Sequence, residues 1–595
     1  MTMLRDLHCP PHIHSHPHPR PHPQIEASDT RDGAEITFHL EPNDRVTGVH
    51  VHDASIVPVS VVQELFGELY GKTLNKRKVS ASIEALQRWY NDNFYYAKVV
   101  DICQGGLVEV YVNELECSKI NLKCVEVGNS DNMTEAQIQE AMRNGQQQPL
   151  TDIEVARPNL KKETLLREMT TKAGSKLNGI VLDRDRLKLQ NIAAIAAVEF
   201  GLASVQDPED GRSTAELLVK YGEQKCRTYN VGGGLVNFGL EDLTKSKNTG
   251  KRSDNFFENL KGNFSFVDRC LFGRNETLSG DAQLGVNDIS ASIEHTDYWV
   301  PRDKHRTKRI STLRTQRSGV DMIHGPMDDG DGKSVDWRSS DVNPIFVERY
   351  SSSIEYVRSL SQGWTATLGV KGVRAAWTDA VTKQRVWKDH YGCPLTVHDN
   401  EADKTAQGFL RVNYSSPFNP LTMFSFDVGQ AIPMKKEWNF LNFTKASARL
   451  EHIVPIAHLI NKDLPFARME LSAKGGYVAG DLPAYDAFSL GGTNTVRGWQ
   501  DGAIGTARYY AAGMAEFVVP TLQAVDLVAF CDYANDFESG SLVAGDPAGI
   551  RGKPGSGMGY GVGLRVNSMM GPIRVEYAFN GKGLSKSHFH FGKTF

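Results

Sequence analysis

The sequence predicts two α+β repeats followed by an all-β transmembrane barrel of about 16 antiparallel strands. Three observations carry this reading. Between residues 45 and 226, helical and strand periodicities alternate in two similar blocks. From about residue 227 the pattern is strands almost without interruption. The last of those strands alternate apolar with small or charged residues, as a sheet with one face in lipid and one in a wet lumen requires.

The totals agree. At 595 residues the chain is too long for one core. A net charge of −4 and a sequence pI near 6.5 argue against a nucleic-acid binder. Mean hydropathy is −0.38, and no apolar run reaches the ~18 residues of a transmembrane helix. A barrel of alternating strands remains compatible with that average. Eight cysteines (Cys9, Cys103, Cys117, Cys124, Cys226, Cys270, Cys393, Cys531) are scattered without a C-x-x-C pair, so free thiols are expected rather than a zinc site or a disulfide framework.

In chain order, residues 1–44 contain His12-Ile13-His14-Ser15-His16-Pro17-His18-Pro19-Arg20-Pro21-His22, and such a tract reads as a disordered tail. It lacks the apolar core of a secretory signal and makes a poor transit peptide. Residues 45–117 read as a first repeat. Arg45–Val51 alternates as a strand, and Pro58–Leu69 and Asn75–Asn93 have helical spacing, with Val79, Ile83, Leu86 and Tyr90 on one stripe. Strands follow at Asn93–Val100 and Leu107–Leu115, giving the order β-α-α-β-β. Residues 118–226 read as a second copy: a strand at Lys119–Glu126, an extra helix at Met133–Met142, helices at Leu160–Met169 and Val181–Phe200, and strands at Leu202–Gln206 and Ala215–Tyr221. Tandem copies make an arm rather than a globular enzyme.

For residues 227–595, strands are expected at 229–238, 259–267, 276–285, 289–299, 307–317, 345–356, 363–374, 405–414, 420–430, 443–452, 467–477, 507–518, 524–533, 558–567, 572–579 and 588–595. Polar stretches at 318–344 and 378–404 read as long loops. The clearest dyad is terminal. Tyr560, Val562, Leu564 and Val566 alternate with Gly561, Gly563, Arg565 and Asn567, and Ile573, Val575, Tyr577 and Phe579 alternate with Arg574, Glu576 and Ala578. Gly561, Gly563, Arg565, Arg574 and Glu576 therefore read as lumen-facing. Phe589, Phe591 and Phe595 alternate with polar or small residues in the last strand. An open edge in lipid costs several kcal/mol per unpaired backbone group, so such strands must close. A soluble sandwich explains neither the lumen-face charges nor the final aromatic residue.

A scan for chemistry finds no enzyme. The glycines at 555, 557, 559, 561 and 563 imitate a phosphate-binding run, but a strand follows them, not a helix. No G-x-x-x-x-G-K-[ST], H-E-x-x-H or G-x-S-x-G occurs. Asp328-Asp329-Gly330-Asp331-Gly332 lacks the remaining calcium ligands of an EF-hand and reads as an exposed acidic loop. No cofactor, metal or ATP is implied. One run stands apart: Gly491-Gly492-Thr493-Asn494-Thr495-Val496-Arg497-Gly498-Trp499, which reads as the tip of a loop near 490–506 folded back into the barrel.

These features resemble a known superfamily. The two β-α-α-β-β units look like POTRA domains, and the remainder resembles the BamA/Sam/Toc superfamily of barrel-assembly and translocation pores. Val496-Arg497-Gly498-Trp499 is similar to the family's V-R-G-[YF] loop, with Trp in place of Tyr or Phe. Phe530-Cys531-Asp532-Tyr533-Ala534 is similar to its F-x-D-x-G strand, with Ala534 for Gly. Gly561 through Tyr577 matches its last long motif, with Met569 where Pro is common. Leu271-Phe272-Gly273-Arg274-Asn275, Gly545-Asp546-Pro547-Ala548-Gly549, Lys553-Pro554-Gly555-Ser556-Gly557 and Phe589-His590-Phe591-Gly592 look most like the chloroplast outer-envelope branch, and within it the barrel-assembly paralogue of the Toc import channel.

The resemblance implies a lumen contact between Arg497 and Asp532. The strand alternation puts Asp532 with Phe530 on the face opposite Val525, Leu527 and Ala529. It also implies a lateral gate between the first barrel strand, weakened by Gly232, Gly233 and Gly234, and the last, carrying Phe589, Phe591 and Phe595. The implied partners are unfolded barrel clients or preproteins, the lipid bilayer and other translocon subunits. The implied place is the plastid outer envelope. The implied function is barrel insertion, with preprotein conduction as the alternative.

Overall fold

The computed structural model describes residues 25–30, 33–38, 43–104, 106–127, 150–206, 213–235, 260–285, 289–301, 303–319, 327–328, 334–335, 345–379, 382–388, 394–398, 401–416, 422–432, 434, 438–456, 467–522, 525–568, 571–581 and 585–591. The helix expected at 133–142 lies outside them, as does most of the tail expected at 1–44 and of the acidic loop at 328–332. Two strands do lie within the expected tail: β1 (Ile25–Thr30) pairs antiparallel with β2 (Gly33–Phe38). No described helix is long and apolar enough to cross a membrane. The chain divides into two compact units, residues 1–155 with 165–191 and 196–222, and residues 156–164 with 192–195 and 223–595.

The first repeat runs β3 (Gly48–His52), α1 (Val59–Phe66), α2 (Lys76–Asp92), β4 (Ala97–Gln104) and β5 (Leu107–Glu114). Its sheet order is β3-β5-β4, with β3 parallel and β4 antiparallel to β5. Asn75 caps α2 by accepting from the Arg77 and Lys78 N–H groups. The stripe Val79, Leu86 and Tyr90 is fully buried against Val108, Val110 and Val112 of β5, with Ile83 partly buried beside it. One buried carboxylate, Glu114, ties the repeat together by accepting from the Ser55 and Ile56 N–H groups at 2.9 Å and from the Tyr90 hydroxyl at 2.8 Å.

The second repeat runs β6 (Glu116–Val127), β7 (Leu150–Glu154), α3 (Lys162–Glu168), α4 (Gly179–Gln190), β8 (Ile195–Gln206) and β9 (Ser213–Glu223). Its sheet order is β7-β6-β9-β8, with β6 parallel to β9. That is the first topology plus an extra edge strand, β7. One expectation fails here. The spacing of Val181–Phe200 predicts a helix throughout, but α4 stops at Gln190 and Ile195–Gln206 is a strand. The alanine-rich Ile192–Val198 favours helix locally, but Ala194, Ile195, Ala197 and Val198 are all buried, and pairing beside β9 overrides propensity. Asp185 on α4 is fully buried and binds the Thr170 and Thr171 N–H groups, the Thr171 hydroxyl and Lys188. Burial pushes its carboxyl up, but those donors outweigh burial and hold it below the usual value.

The second unit carries one 16-stranded sheet, assembled in sequence order. Its strands are β10 (Arg227–Leu235), β11 (Leu260–Asp268), β12 (Glu276–Gly285), β13 (Ile289–Asp297), β14 (Lys308–Gly319), then, past the two-residue β15 (Met327–Asp328) and β16 (Ser334–Val335), β17 (Ile345–Ser361), β18 (Trp364–Asp379), β19 (Ala402–Ser415), β20 (Thr422–Ala431), β21 (Phe443–Pro455) and β22 (Arg468–Gly480). After a hairpin of β23 (Phe488–Leu490) and β24 (Gly505–Ala507) come β25 (Tyr509–Leu522), β26 (Val525–Asn535), β27 (Ser556–Ser568), β28 (Gly571–Asn580) and β29 (Ser585–Phe591). Each neighbouring pair is antiparallel, so connections alternate between the two rims. The connections at 319–345, 379–402, 480–509 and 535–556 all fall on one rim.

Side chains follow the predicted dyad. Tyr560, Val562 and Leu564 are exposed on the outer face, whereas Gly559 and Arg565 are buried. On β26, Asp526, Val528, Phe530, Asp532 and Ala534 are buried and Leu527, Ala529, Cys531 and Tyr533 exposed. Free thiols were expected throughout, but Cys226 and Cys270 are joined as a disulfide, with Cα atoms 5.8 Å apart. The pairing follows from the ladder: Arg227 sits opposite Asp268 and the Arg269 N–H donates to the Cys226 carbonyl at 2.8 Å, which brings the next residue, Cys270, beside Cys226. Cys103, Cys117, Cys124 and Cys531 are not disulfide-bonded.

Candidate functional site

The connection between β22 and β25 turns into the barrel. Ala484–Asp486 forms a single 3₁₀ turn, then β23 and β24 pair through Phe488↔Ala507, Ser489↔Thr506 and Leu490↔Gly505. The tip between them is the glycine-rich run. Gly491 and Gly492 have φ of 111° and 83°, where only glycine fits without strain. The Thr495 hydroxyl closes the turn, donating to the Gly491 carbonyl and accepting from its N–H, both at 2.8 Å. Val496 packs in a buried cluster with Leu490, Trp499, Ile504, Ala507, Ala512 and Ala534.

Beyond this turn the tip lies directly on β27. A side chain at Gly559 would collide with the Arg497 carbonyl, and one at Gly557 would meet Ile504 and Trp499. Gly557 and Gly559 of β27 thus form a docking groove for the loop tip, within the run that imitates a nucleotide motif. Gly498, at φ 87°, lies against the Phe579 carbonyl, 2.8 Å from where a Cβ would stand. Trp499 donates its indole N–H to the Met558 carbonyl at 2.9 Å, a bond that phenylalanine cannot make. Ala534 packs in the same cluster. Met569 lies outside the described residues.

Arg497 is 2% exposed and fully engaged. Its Nε and Nη2 donate to the two oxygens of Asp532, each at 2.7 Å, and its backbone N–H reaches the same carboxylate at 3.1 Å. Nη1 donates to Glu516 at 2.6 Å and to Glu576 at 3.1 Å. The guanidinium lies over the Phe530 ring, 3.6 Å from its centroid. This bidentate, stacked arrangement needs arginine, because a lysine ammonium can neither fork nor stack this way.

The inward charges of the terminal strands join the same network. Arg565 donates to Glu516 at 2.7 Å and approaches Glu470 at 3.3 Å. Arg574 lies 3.6 Å from Glu516 and 4.0 Å from Glu576. Arg565 and Arg574 are rung partners, so Glu516 separates two like charges that would otherwise repel. Gly561 and Gly563 leave space beside Phe530 and Glu576. Glu470 on β22 and Glu516 on β25 were not singled out from sequence. The available signal was a lone acid at an inward period-2 position, as in Met514-Ala515-Glu516-Phe517-Val518.

The expected gate residues lie elsewhere. Gly232, Gly233 and Gly234 sit on β10, paired with Asn263, Gly262 and Lys261 of β11. Phe589 and Phe591 sit on β29, paired with Val575 and Ile573 of β28. Phe595 lies outside the described residues. β10 and β29 are the two ends of the sheet order, and among the described residues no ladder joins them. No group of three or more His, Cys, Asp or Glu among the described residues could hold a metal.

β-α-α-β-β repeats followed in the chain by a 16-stranded antiparallel sheet that holds an inward-folded, arginine-anchored loop define the class of outer-membrane barrels with N-terminal repeats. The chain belongs to the Omp85 superfamily, whose domain model matches residues 271–595. It is 32% identical over 569 residues to outer envelope protein 80, chloroplastic, of Oryza sativa subsp. japonica, covering 95% of this chain and 76% of that one. The Arabidopsis thaliana protein of the same name is 30% identical over 570 residues, covering 95% of this chain and 69% of the relative. The fold is shared with BamA from Haemophilus ducreyi lacking POTRA domains 1–3, at a TM-score of 0.55 and 13% identity, over 92% of this chain and 98% of that structure. The chain is thus a non-enzymatic β-barrel membrane protein of the chloroplast outer envelope.

Proposed function

We propose that this protein assembles client β-barrels into the plastid outer envelope, adding their strands at the seam between β10 and β29. One observation carries the reading: the sheet order ends at these two strands, and no ladder joins them among the described residues. An unpaired strand edge in hydrocarbon costs several kcal/mol per backbone group, so a seam edge is a template for an incoming strand. The three glycines of β10 offer few side-chain contacts to hold a seam shut. Strand pairing and apolar burial supply the driving force, so no nucleotide is needed.

In this reading the Arg497 network holds the inner loop against β25–β28, keeping that wall rigid while the seam opens. The repeats contribute edge strands β4, β7 and β8 as docking sites for extended client segments. The test is depletion of the protein followed by an inventory of unassembled envelope and stromal proteins. Outer-envelope barrels should accumulate unassembled while stromal precursors import normally. Accumulation of stromal precursors with normal barrel assembly would instead assign a preprotein-conducting channel.

A further inference from the structure

The inner loop has a second contact with the wall, away from Arg497. Ahead of the hairpin, Tyr485 and Asp486 line a cavity of about 200 Å³. Its other walls carry Arg314 of β14, Arg349 of β17, Lys371 of β18 and Lys445 of β21. Four cations therefore face one carboxylate. Arg349 donates to the Tyr485 carbonyl at 2.6 Å, and Lys445 to the Asp486 carbonyl at 2.8 Å. These bonds neutralise no charge, and the Asp486 carboxylate lies 3.9 Å from Arg349. The Nε of Arg349 is buried without a hydrogen-bond partner among the described residues. No carboxylate among the described residues pairs with Arg314 or Lys371.

Clustered like charges in a confined lumen space repel one another and favour an anion that they can share. The guanidinium edge and ammonium groups are suited to oxyanions. The cavity has room for a small anion, and Arg314, Arg349, Lys371 and Lys445 converge on it from four different strands. We propose that it is a binding site for a small tetrahedral oxyanion of the phosphate class, held by Arg349, Lys371 and Lys445 and closed by Arg314.

The test uses the full chain in non-ionic detergent micelles. Inorganic phosphate is titrated at constant ionic strength and binding read from ³¹P line broadening. Saturable broadening, competed by sulfate, is expected. Lys371→Gln should weaken it about tenfold or more, the loss of one charge-assisted hydrogen bond, while Lys383→Gln on an exposed loop should not. Because Lys371 makes no ion pair among the described residues, the variant is expected to fold, which unchanged thermal unfolding without phosphate would verify. Broadening that does not saturate, or that is equal in Lys371→Gln, overturns the proposal. So does displacement by acetate as effective as that by sulfate.

Discussion

Replacing Arg497 by alanine should release the inner loop from the barrel wall. The substitution removes two 2.7 Å bonds to Asp532, a 2.6 Å bond to Glu516, a 3.1 Å bond to Glu576 and the stacking on Phe530. What it leaves behind matters as much. Glu516 keeps Arg565, and Glu576 keeps Arg574 at 4.0 Å. Asp532, with no exposed surface, keeps only the residue-497 backbone N–H as a donor among the described residues. Removing one partner of a buried ion pair costs about 3–5 kcal/mol, or roughly two to four orders of magnitude in the docked-to-undocked ratio. Hydrogen exchange reads this directly at the tip amides between Leu490 and Ile504. Their protection should fall by that factor, up to the limit set by the wild-type docking energy, while amides of β17 and β18 stay unchanged. Arg497→Lys should recover only part of the loss. Unchanged tip protection in Arg497→Ala would refute the claim that this network holds the loop.

Further expectations concern the groove, the aromatic anchor and the repeats. Gly559→Val should abolish docking, since its side chain would occupy the place of the Arg497 carbonyl, whereas Gly513→Ala on β25, where a Cβ meets nothing within 4 Å, should be near neutral; protease cleavage of residues 481–508 compares them. Trp499→Phe should cost about 0.5–1.5 kcal/mol by removing the indole bond to the Met558 carbonyl, which the Gly581 N–H still satisfies, measured by the same tip exchange. Asp185 has a lowered folded-state value, so its contribution is complete above its ordinary value of 3.8 and is lost as pH falls through the lowered one. Protection of the Thr170 and Thr171 amides should therefore hold from neutral pH to about pH 4 and decline below, and Asp185→Asn should remove that step. Cys226→Ser should destabilise the start of the barrel by about 2–5 kcal/mol, seen as weaker amide protection along β10.

The strand pattern was highly legible because lipid imposes it. An outer face of apolar side chains and an inner face of small or charged ones force period two, and β12 lies at 276–285 as that period predicts. Arg497 and Asp532 were legible through their motifs, and the alternation of β26 put Asp532 inside. Glu516 and Glu470 were not, because a single inward acid in a strand does not reveal which cation faces it across the lumen. The Ile195–Phe200 strand was hidden by an alanine-rich run whose local preference is helical. β7 has no burial pattern to betray it, since most of its residues are exposed. The Cys226–Cys270 bond depends on a rung between residues far apart in sequence, which spacing alone cannot supply.

The central claim is that client strands are added at the β10–β29 seam. Site-specific photo-crosslinking from Val231 on β10 during insertion of an outer-envelope barrel tests it, with Leu368 on the outer face of β18 as the mid-barrel reference. The account predicts adducts between position 231 and the terminal strands of the arrested client, and none from position 368. Equal crosslinking from both positions, or adducts from 368 alone, would contradict it.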